Sequence, residues 1–459
     1  MHAAAPGAGW RPWLAGPPSQ EADARAQARL TVLGTELKHA VLTEREREER
    51  TREANELRCW RYICSQHVRL AEEQAGRSAS SRSELLGLVD KLCAELVQHK
   101  GLLDSPFQVK QQVAESEGAM RTVLIEPPHS ERNGGAERRF VLESKPVHDN
   151  VDQKRSVFRA YENTATGAIN CWAVKWVRKG ELLATCRTSD QQAAYLRELR
   201  KEFVVATVLR WFAHPNVSGF DRYFENGADI FALSPFRTCV RAWATTQGGG
   251  PSSSGEMLDL FAQIAFAVSF LHNLGLVHGD LKLANMTVQA RHPASPAYAR
   301  GSRLLLQLID FGLTTDLRLD SETGKWLPLA GPQRGSLPYM AFEVFNVPSA
   351  QAGYDGVRAD IYSMGVCFCS LAAGGEPFKY PSMLEPYYRV LKEHGGGAFV
   401  GLLCRKQGRA ALLEDPRAAQ AIQMTMAHLP AHRSELQAVL ELLTAAPPTV
   451  AGQRAGAAA

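Results

Sequence analysis

Apolar residues change their spacing along the chain. After a stretch rich in Ala, Gly and Pro over residues 1–20, which composition marks as disordered, Ala26, Leu30, Leu33, Leu37 and Val41 recur at three- and four-residue steps. A second seam of Leu85, Leu88, Leu92 and Leu96 follows a Ser-rich break at Ser78 to Ser83. Between them, Thr43 to Glu56 is dense in Glu and Arg, the pattern of a solvated helix face laced by opposite charges. The seams predict a helical region over 21–110. It either folds back as an antiparallel hairpin or pairs with another chain as a short coiled coil. Pro127, Pro128, Gly134 and Gly135 then mark a linker, assigned to 111–139.

Beyond Arg139 the period shortens toward two. Phe140 to Leu142, Ser156 to Tyr161 and Asn170 to Val177 read as strands of a small antiparallel sheet, with Lys145 to Asn150 as a loop. Helical spacing returns from about Ser189 to Phe212, capped by Thr188, Ser189 or Asp190. It returns again from Glu256 to Leu274, after the Gly- and Ser-rich stretch Gly248 to Gly255. A further apolar run, Leu304 to Ile309, follows a Pro- and Arg-containing insertion, Ala290 to Gly301, expected as an exposed loop. These elements fall within 140–445, and a disordered tail is expected over 446–459.

Composition narrows the classes of function. A net charge of +4 over 459 residues, with no basic stripe interleaved with aromatics, gives no footprint for nucleic acid. Nine cysteines occur without a C-x-x-C pair, and Cys367 and Cys369 sit in an apolar run. They read as buried thiols in a reducing, cytoplasmic setting. No apolar stretch is expected to serve as a membrane span of about 20 residues, and the first twenty residues lack the charged start and apolar core of a secretory signal.

The chemistry concentrates in two short stretches. His278-Gly279-Asp280-Leu281-Lys282-Leu283-Ala284-Asn285 sets an acid, a base and an amide close together after an apolar run, and Leu308-Ile309-Asp310-Phe311-Gly312 supplies a second carboxylate. Two carboxylates and an amide suit a divalent cation and a phosphate chain. The alternative is an Asx turn followed by an unrelated Asp-Phe-Gly turn. In order and separation the pair resembles the catalytic loop and D-F-G triplet of the eukaryotic protein kinase family. Ala173-Val174-Lys175, about 105 residues before Asp280, is similar to the family's lysine strand. Gly335 to Glu343 resembles G-T-x-x-Y-x-A-P-E, with Ser336 for Thr and Phe342 for Pro, and Asp360-Ile361-Tyr362-Ser363-Met364-Gly365 resembles D-x-W-S-x-G.

The resemblance implies an α+β, two-lobed protein kinase-like fold over 140–445 with ATP and Mg2+ in the cleft, behind a helical N-terminal extension. In that frame Asp280 orients a substrate hydroxyl, Lys282 neutralises the moving phosphoryl group, and Asn285 and Asp310 hold metal. Lys175 holds phosphates and pairs with Glu202 or, one turn earlier, Glu198. Val157 and Ala173 fall with them among the nucleotide-binding positions. Phe231 to Phe236 would connect the lobes, Asp360 would accept bonds from the catalytic-loop backbone, and Glu343 would pair with Arg433.

Two departures stand out. The places of the family's phosphate-loop glycines fall on Asn150, Asp152 and Arg155, so the loop should cover phosphates poorly or differently. Gly279 replaces the arginine that commonly captures an activation-loop phosphate, so phosphorylation of Thr314, Thr315, Ser321 or Thr323 is not expected to order the loop through that pocket. The functions implied are a serine/threonine protein kinase acting on protein substrates or, as the alternative, a weakly catalytic pseudokinase serving as a scaffold. Oligomerisation would then run through the N-terminal helices.

Overall fold

The computed structural model describes residues 108–113, 120–126, 137–151, 153–164, 167–211, 214–246, 250–299, 301–317, 327–330, 333–346 and 353–445. The stretches 1–20 and 446–459, and the expected helical seams of 21–110, lie outside them.

The first lobe is built on eight strands: β1 Gln108–Val113, β2 Met120–Glu126, β3 Arg138–Leu142, β4 His148–Asn150, β5 Arg155–Asn163, β6 Ile169–Val177, β7 Arg222–Glu225 and β8 Ile230–Pro235. They pair in the order β1-β2-β3-β5-β6-β8-β7, with β4 also paired to β5. Strict alternation sorts their side chains. Along β5, Phe158 and Ala160 turn into a core with Leu124, Phe140, Leu142, Val174, Phe231 and Leu233. On the opposite face, Val177, Ile230 and Ala232 pack against a helix through Leu199 and Phe203. The unbroken apolar run of β8 follows from this, because both of its faces are buried.

Two expectations are corrected here. Within the supposed linker 111–139, Met120–Glu126 is a strand that pairs with both β1 and β3. Its Val123, Leu124 and Ile125 are buried. The β-branched run was overshadowed in the sequence by the Pro and Gly signal beside it, and Leu124 gains its burial from Phe140 and Leu142, across the sheet. Among the described residues the sheet therefore reaches back to Gln108, ahead of residue 140, and β1 takes the last residues of the expected helical region. Likewise His148–Asn150, expected as loop, pairs with β5 as a short strand.

Two helices, α1 Lys179–Ala184 and α2 Ser189–Trp211, follow β6. Gln191 N donates to Thr188 Oγ1 at 3.2 Å, capping α2 at its start. Leu199 and Phe203 of α2 belong to the upper core, while Val205, Ala206 and Leu209 belong to the lower one. One rigid element thus joins the two cores. Phe231 to Pro235, expected to connect the lobes, is instead the heart of β8. The chain crosses at Phe236 and Arg237 and enters the short strand β9 Thr238–Cys239.

The second lobe is mostly helical: α3 Val240–Thr245, α4 Ser254–Asn273, α5 Pro296–Ala299, α6 Phe342–Phe345, α7 Gly356–Ala373, α8 Pro386–Lys406, α9 Pro416–Thr425 and α10 Leu436–Thr444. Glu256 N donates to Ser253 Oγ (3.2 Å) and Ser252 N donates back to Glu256 Oε2 (2.7 Å), satisfying amides at the start of α4. With 20 residues, α4 is long and apolar enough by length and composition for a membrane span, which no stretch was expected to be. Its apolar face instead forms the lobe's core, where Phe261 stacks on Phe368 of α7 with ring centroids 4.2 Å apart. In α7, Cys367 and Cys369 are fully buried.

Four further short strands sit below the first sheet: β10 Leu276–Val277, β11 Met286–Ala290, β12 Leu304–Leu308 and β13 Thr315–Asp316. The pairs β10·β13 and β11·β12 are antiparallel. Two loops, 278–285 and 309–314, leave these strands side by side, and the register Met286↔Leu308 brings them together.

Candidate active site

Backbone bonds hold the first loop before any side chain acts. Asp360, at the start of α7, accepts from His278 N at 2.8 Å and from Gly279 N at 3.0 Å. His272 Nε2 of α4 lies 3.1 Å from the same carboxylate. Asp280 N donates to His278 Nδ1 (3.2 Å), which leaves the ring proton on Nε2, facing Ile309 O at 3.3 Å. The second loop is tied to the first by Ile309 N donating to Asn285 O at 2.9 Å.

Gly279 adopts φ +75°, and a Cβ there would lie 2.8 Å from Leu313 O. Glycine meets both demands: a left-handed backbone and close approach of the neighbouring loop.

Around Asp280 the polar groups interlock. Lys282 Nζ donates to Asp280 Oδ2 at 2.7 Å and to Ser336 Oγ at 2.8 Å. Asn285 Nδ2 donates to Asp280 O and Oδ2, at 2.9 and 3.1 Å. Asp280 Oδ1 is buried without a hydrogen-bond partner. A buried acceptor left open in an otherwise satisfied network is suited to a donor that arrives with a ligand.

Asp310 has φ +64°, an uncommon conformation for a residue with a side chain. Phe311 beside it is buried in the lower core and meets the His278 ring edge-on at 5.6 Å. This anchors the loop while the Asp310 carboxylate stays 40% exposed. Lys175 Nζ reaches down from β6 to within 3.1 Å of Asp310 Oδ1 and bonds Glu202 Oε1 of α2. Burial opposes the charges of this pair, but they support each other. The carboxylates of Asp310 and Glu202 lift Lys175 above the usual lysine value, and the Lys175 ammonium holds Asp310 below the usual carboxylate range. Of the two glutamates considered for Lys175, Glu202 makes the bond; the side chain of Glu198 lies outside the described ones. A Cβ on Gly312 would lie 3.2 Å from Glu202 Oε2, so glycine gives that carboxylate its room.

The residues singled out in the sequence therefore gather around one cleft between the lobes. Lys175 and Glu202 come from above, and Asp280, Lys282, Asn285 and Asp310 from below. Val157 is the β-partner of Lys175, and Ala173 lies two residues before it on the same face. Of the three positions where glycines were missed, Asn150 and Arg155 close a β-turn as paired residues, and Asp152 lies outside the described residues.

A match to the protein kinase domain family spans residues 156–410, more than half of the 459 residues. The chain belongs to the protein kinase family. Among its relatives, CBL-interacting protein kinase 22 from Oryza sativa subsp. japonica is 29% identical over 223 residues, covering 48% of this chain and 46% of that protein. Serine/threonine-protein kinase kin-29 from Caenorhabditis briggsae is 29% identical over 234 residues, 51% of this chain and 26% of that protein. Serine/threonine-protein kinase SIK1 from Mus musculus is 26% identical over 236 residues, 51% of this chain and 27% of that protein. The chain spans less than half the length of these relatives.

Within the kinase fold, the segment after the D-F-G triplet is anchored far from the cleft. Arg433 grips Glu343 through both nitrogens, at 2.5 and 2.8 Å, and also donates to Ala427 O and Arg358 O, each at 2.9 Å. Phe342, in the place of the family's proline, fills its site by stacking parallel to Tyr388, with centroids 6.1 Å apart. Thr314 is buried and Thr315 is paired in β13, while Ser321 and Thr323 lie outside the described residues. One residue of the cleft was noticed in the sequence only as a missing glycine: Arg155 Nη1 donates to Glu202 Oε2 at 3.1 Å. No spacing rule announces that contact, because Arg155 and Glu202 are 47 positions apart.

Proposed function

We propose that the chain transfers the γ-phosphoryl group of ATP to serine or threonine hydroxyls of protein substrates. What supports this most is the pairing of an open, buried acceptor at Asp280 Oδ1 with an ammonium at Lys282 already bridged to the activation segment at Ser336. Asp280 accepts the proton of the substrate hydroxyl as that oxygen attacks phosphorus. Lys282 neutralises charge on the phosphoryl oxygens in flight, and Ser336 keeps its ammonium beside Asp280. Lys175 grips the non-transferable phosphates, and Glu202 fixes the direction in which Lys175 points.

The donor set fits Mg2+. Asn285 and Asp310 offer hard oxygens, and the Asp310 side chain stays 40% exposed, so a hard divalent cation could be held there. When bound, that cation supplies neutralisation of phosphate charge; Asn285 and Asp310 are the residues that would hold it. The nine cysteines, none of them in a paired motif, support placing the chain in a reducing, cytoplasmic setting as part of this proposal.

The glycine-free turn favours a second reading, a scaffold that holds nucleotide weakly and transfers little phosphate. One measurement separates the two. In purified protein with ATP and Mg2+, the parent chain should phosphorylate a serine/threonine substrate mixture, and Asp280→Asn should lower the rate by about 10²-fold or more. A parent rate no higher than that of Asp280→Asn selects the scaffold.

A further inference from the structure

The turn joining β4 and β5 uses its own amides. Gln153 N donates to Asn150 Oδ1 at 3.0 Å, and Lys154 N donates to Val151 O at 3.2 Å, with Lys154 itself at φ +51°. Amides committed in this way are not offered to an anion, and Asn150, Asp152 and Arg155 carry side chains where glycines would leave the backbone bare. A phosphate chain lying under this turn therefore has to find positive charge elsewhere.

The structure supplies one such charge. Arg155, the first residue of β5, sends its guanidinium into the cleft, where Nη1 donates to Glu202 Oε2 at 3.1 Å. The other oxygen of the same carboxylate, Oε1, takes the ammonium of Lys175, so the two cations stand side by side across one carboxylate. Arg155 Nε is buried and has no hydrogen-bond partner, and a guanidinium carries five donors in a fixed fork that suits phosphate oxygens. The positive field of Arg155 also reaches Lys175, where it opposes the lift from Asp310 and Glu202. Without Arg155, Lys175 would be the one cation bonded to Glu202 and Asp310 among the described residues, beneath a turn whose Gln153 and Lys154 amides are already committed.

We propose that Arg155 is a phosphate-binding residue of the nucleotide site, a second cation beside Lys175 that does with its side chain what the turn does not do with its backbone. The proposal rests on the kinase reading of the cleft. Nη1 keeps its hold on Glu202, and the rest of the fork meets the phosphates, so replacing Arg155 affects ligands in proportion to their phosphates and spares the nucleoside.

Calorimetric titration of the full chain with ATP, ADP and adenosine, in the presence of Mg2+, tests this. Arg155→Gly, which restores glycine to the turn, should weaken ATP about ten- to hundredfold and ADP by less, while adenosine stays within about twofold. Arg155→Lys should keep part of the ATP affinity. Unchanged or tighter ATP binding by Arg155→Gly overturns the assignment, as does an equal loss for adenosine, which would make Arg155 a structural prop. Should Arg155→Gly show no cooperative melt, Arg155→Gln is judged by the same outcomes. A parent chain that binds neither ATP nor adenosine overturns the kinase reading and this proposal together. A parent that binds both, and is matched by Arg155→Gly, overturns this proposal alone.

Discussion

At Gly279 the backbone is left-handed, and the carbonyl of Leu313 occupies the space a side chain would need. Changing this residue is therefore a test of backbone strain and not of lost contacts. Gly279→Ala should destabilise the protein by about 1–2 kcal/mol from the left-handed conformation alone, and more from the contact with Leu313 O. Urea unfolding of the purified chain checks this; stability equal to the parent would mean the loop relaxes freely. Residues of this kind divide in how visible they are from the sequence. Asp280, Lys282, Asn285 and Asp310 are recognisable because they stand in short motifs, H-G-D-L-K-L-A-N and D-F-G, that resemble those of the kinase family. Arg155 is not, because its importance lies in a bond to Glu202 that exists only when β5 and α2 are packed. The reason for glycine at 279 is hidden in the same way, in the approach of a loop thirty-odd positions downstream.

Among the elements, β2 is the one the sequence disguised. Thr122 to Ile125 is a good strand former, yet only Glu126 separates it from Pro127 and Pro128, and a short apolar run beside such breakers reads as linker. Its partners decide the matter: β2 pairs with β1 and β3, and Leu124 is fully buried in the upper core. Leu124→Ala should cost about 2–5 kcal/mol, read as a lower urea midpoint with an unchanged slope. A cost below about 0.5 kcal/mol, the range of exposed sites, would return the segment to a linker. The helices were easier to foresee. Capping residues and 3.6-residue periodicity are local, so α2 and α4 lie within a few residues of their expected bounds. By contrast α7 is buried around nearly its whole circumference, and its place in the centre of the lobe follows from packing against α4, α8 and α9.

For the molecule as a whole, Glu343 and Arg433 join segments 90 positions apart, and the Arg433 side chain is fully buried. Arg433→Met should cost about 3–5 kcal/mol, because a largely buried carboxylate then loses its counter-charge. Replacing Glu343 and Arg433 together by Met should cost less than the sum of the two single changes, and strict additivity in urea unfolding would show that the pair is not coupled. Long-range links of this kind mark the limit between what is local and what is not. By itself the sequence determined the chief strands and helices, since periodicity and capping are written in neighbouring residues, and its resemblance to the kinase motifs pointed to the α+β class and to the acidic, basic and amide groups around the cleft. The tertiary structure alone decided that the sheet takes in Gln108–Val113 and Met120–Glu126, that Glu202 bonds Lys175, and that Arg155 enters the cleft. Each of these depends on which surfaces meet when the chain closes, and distant residues acquire their environment only then.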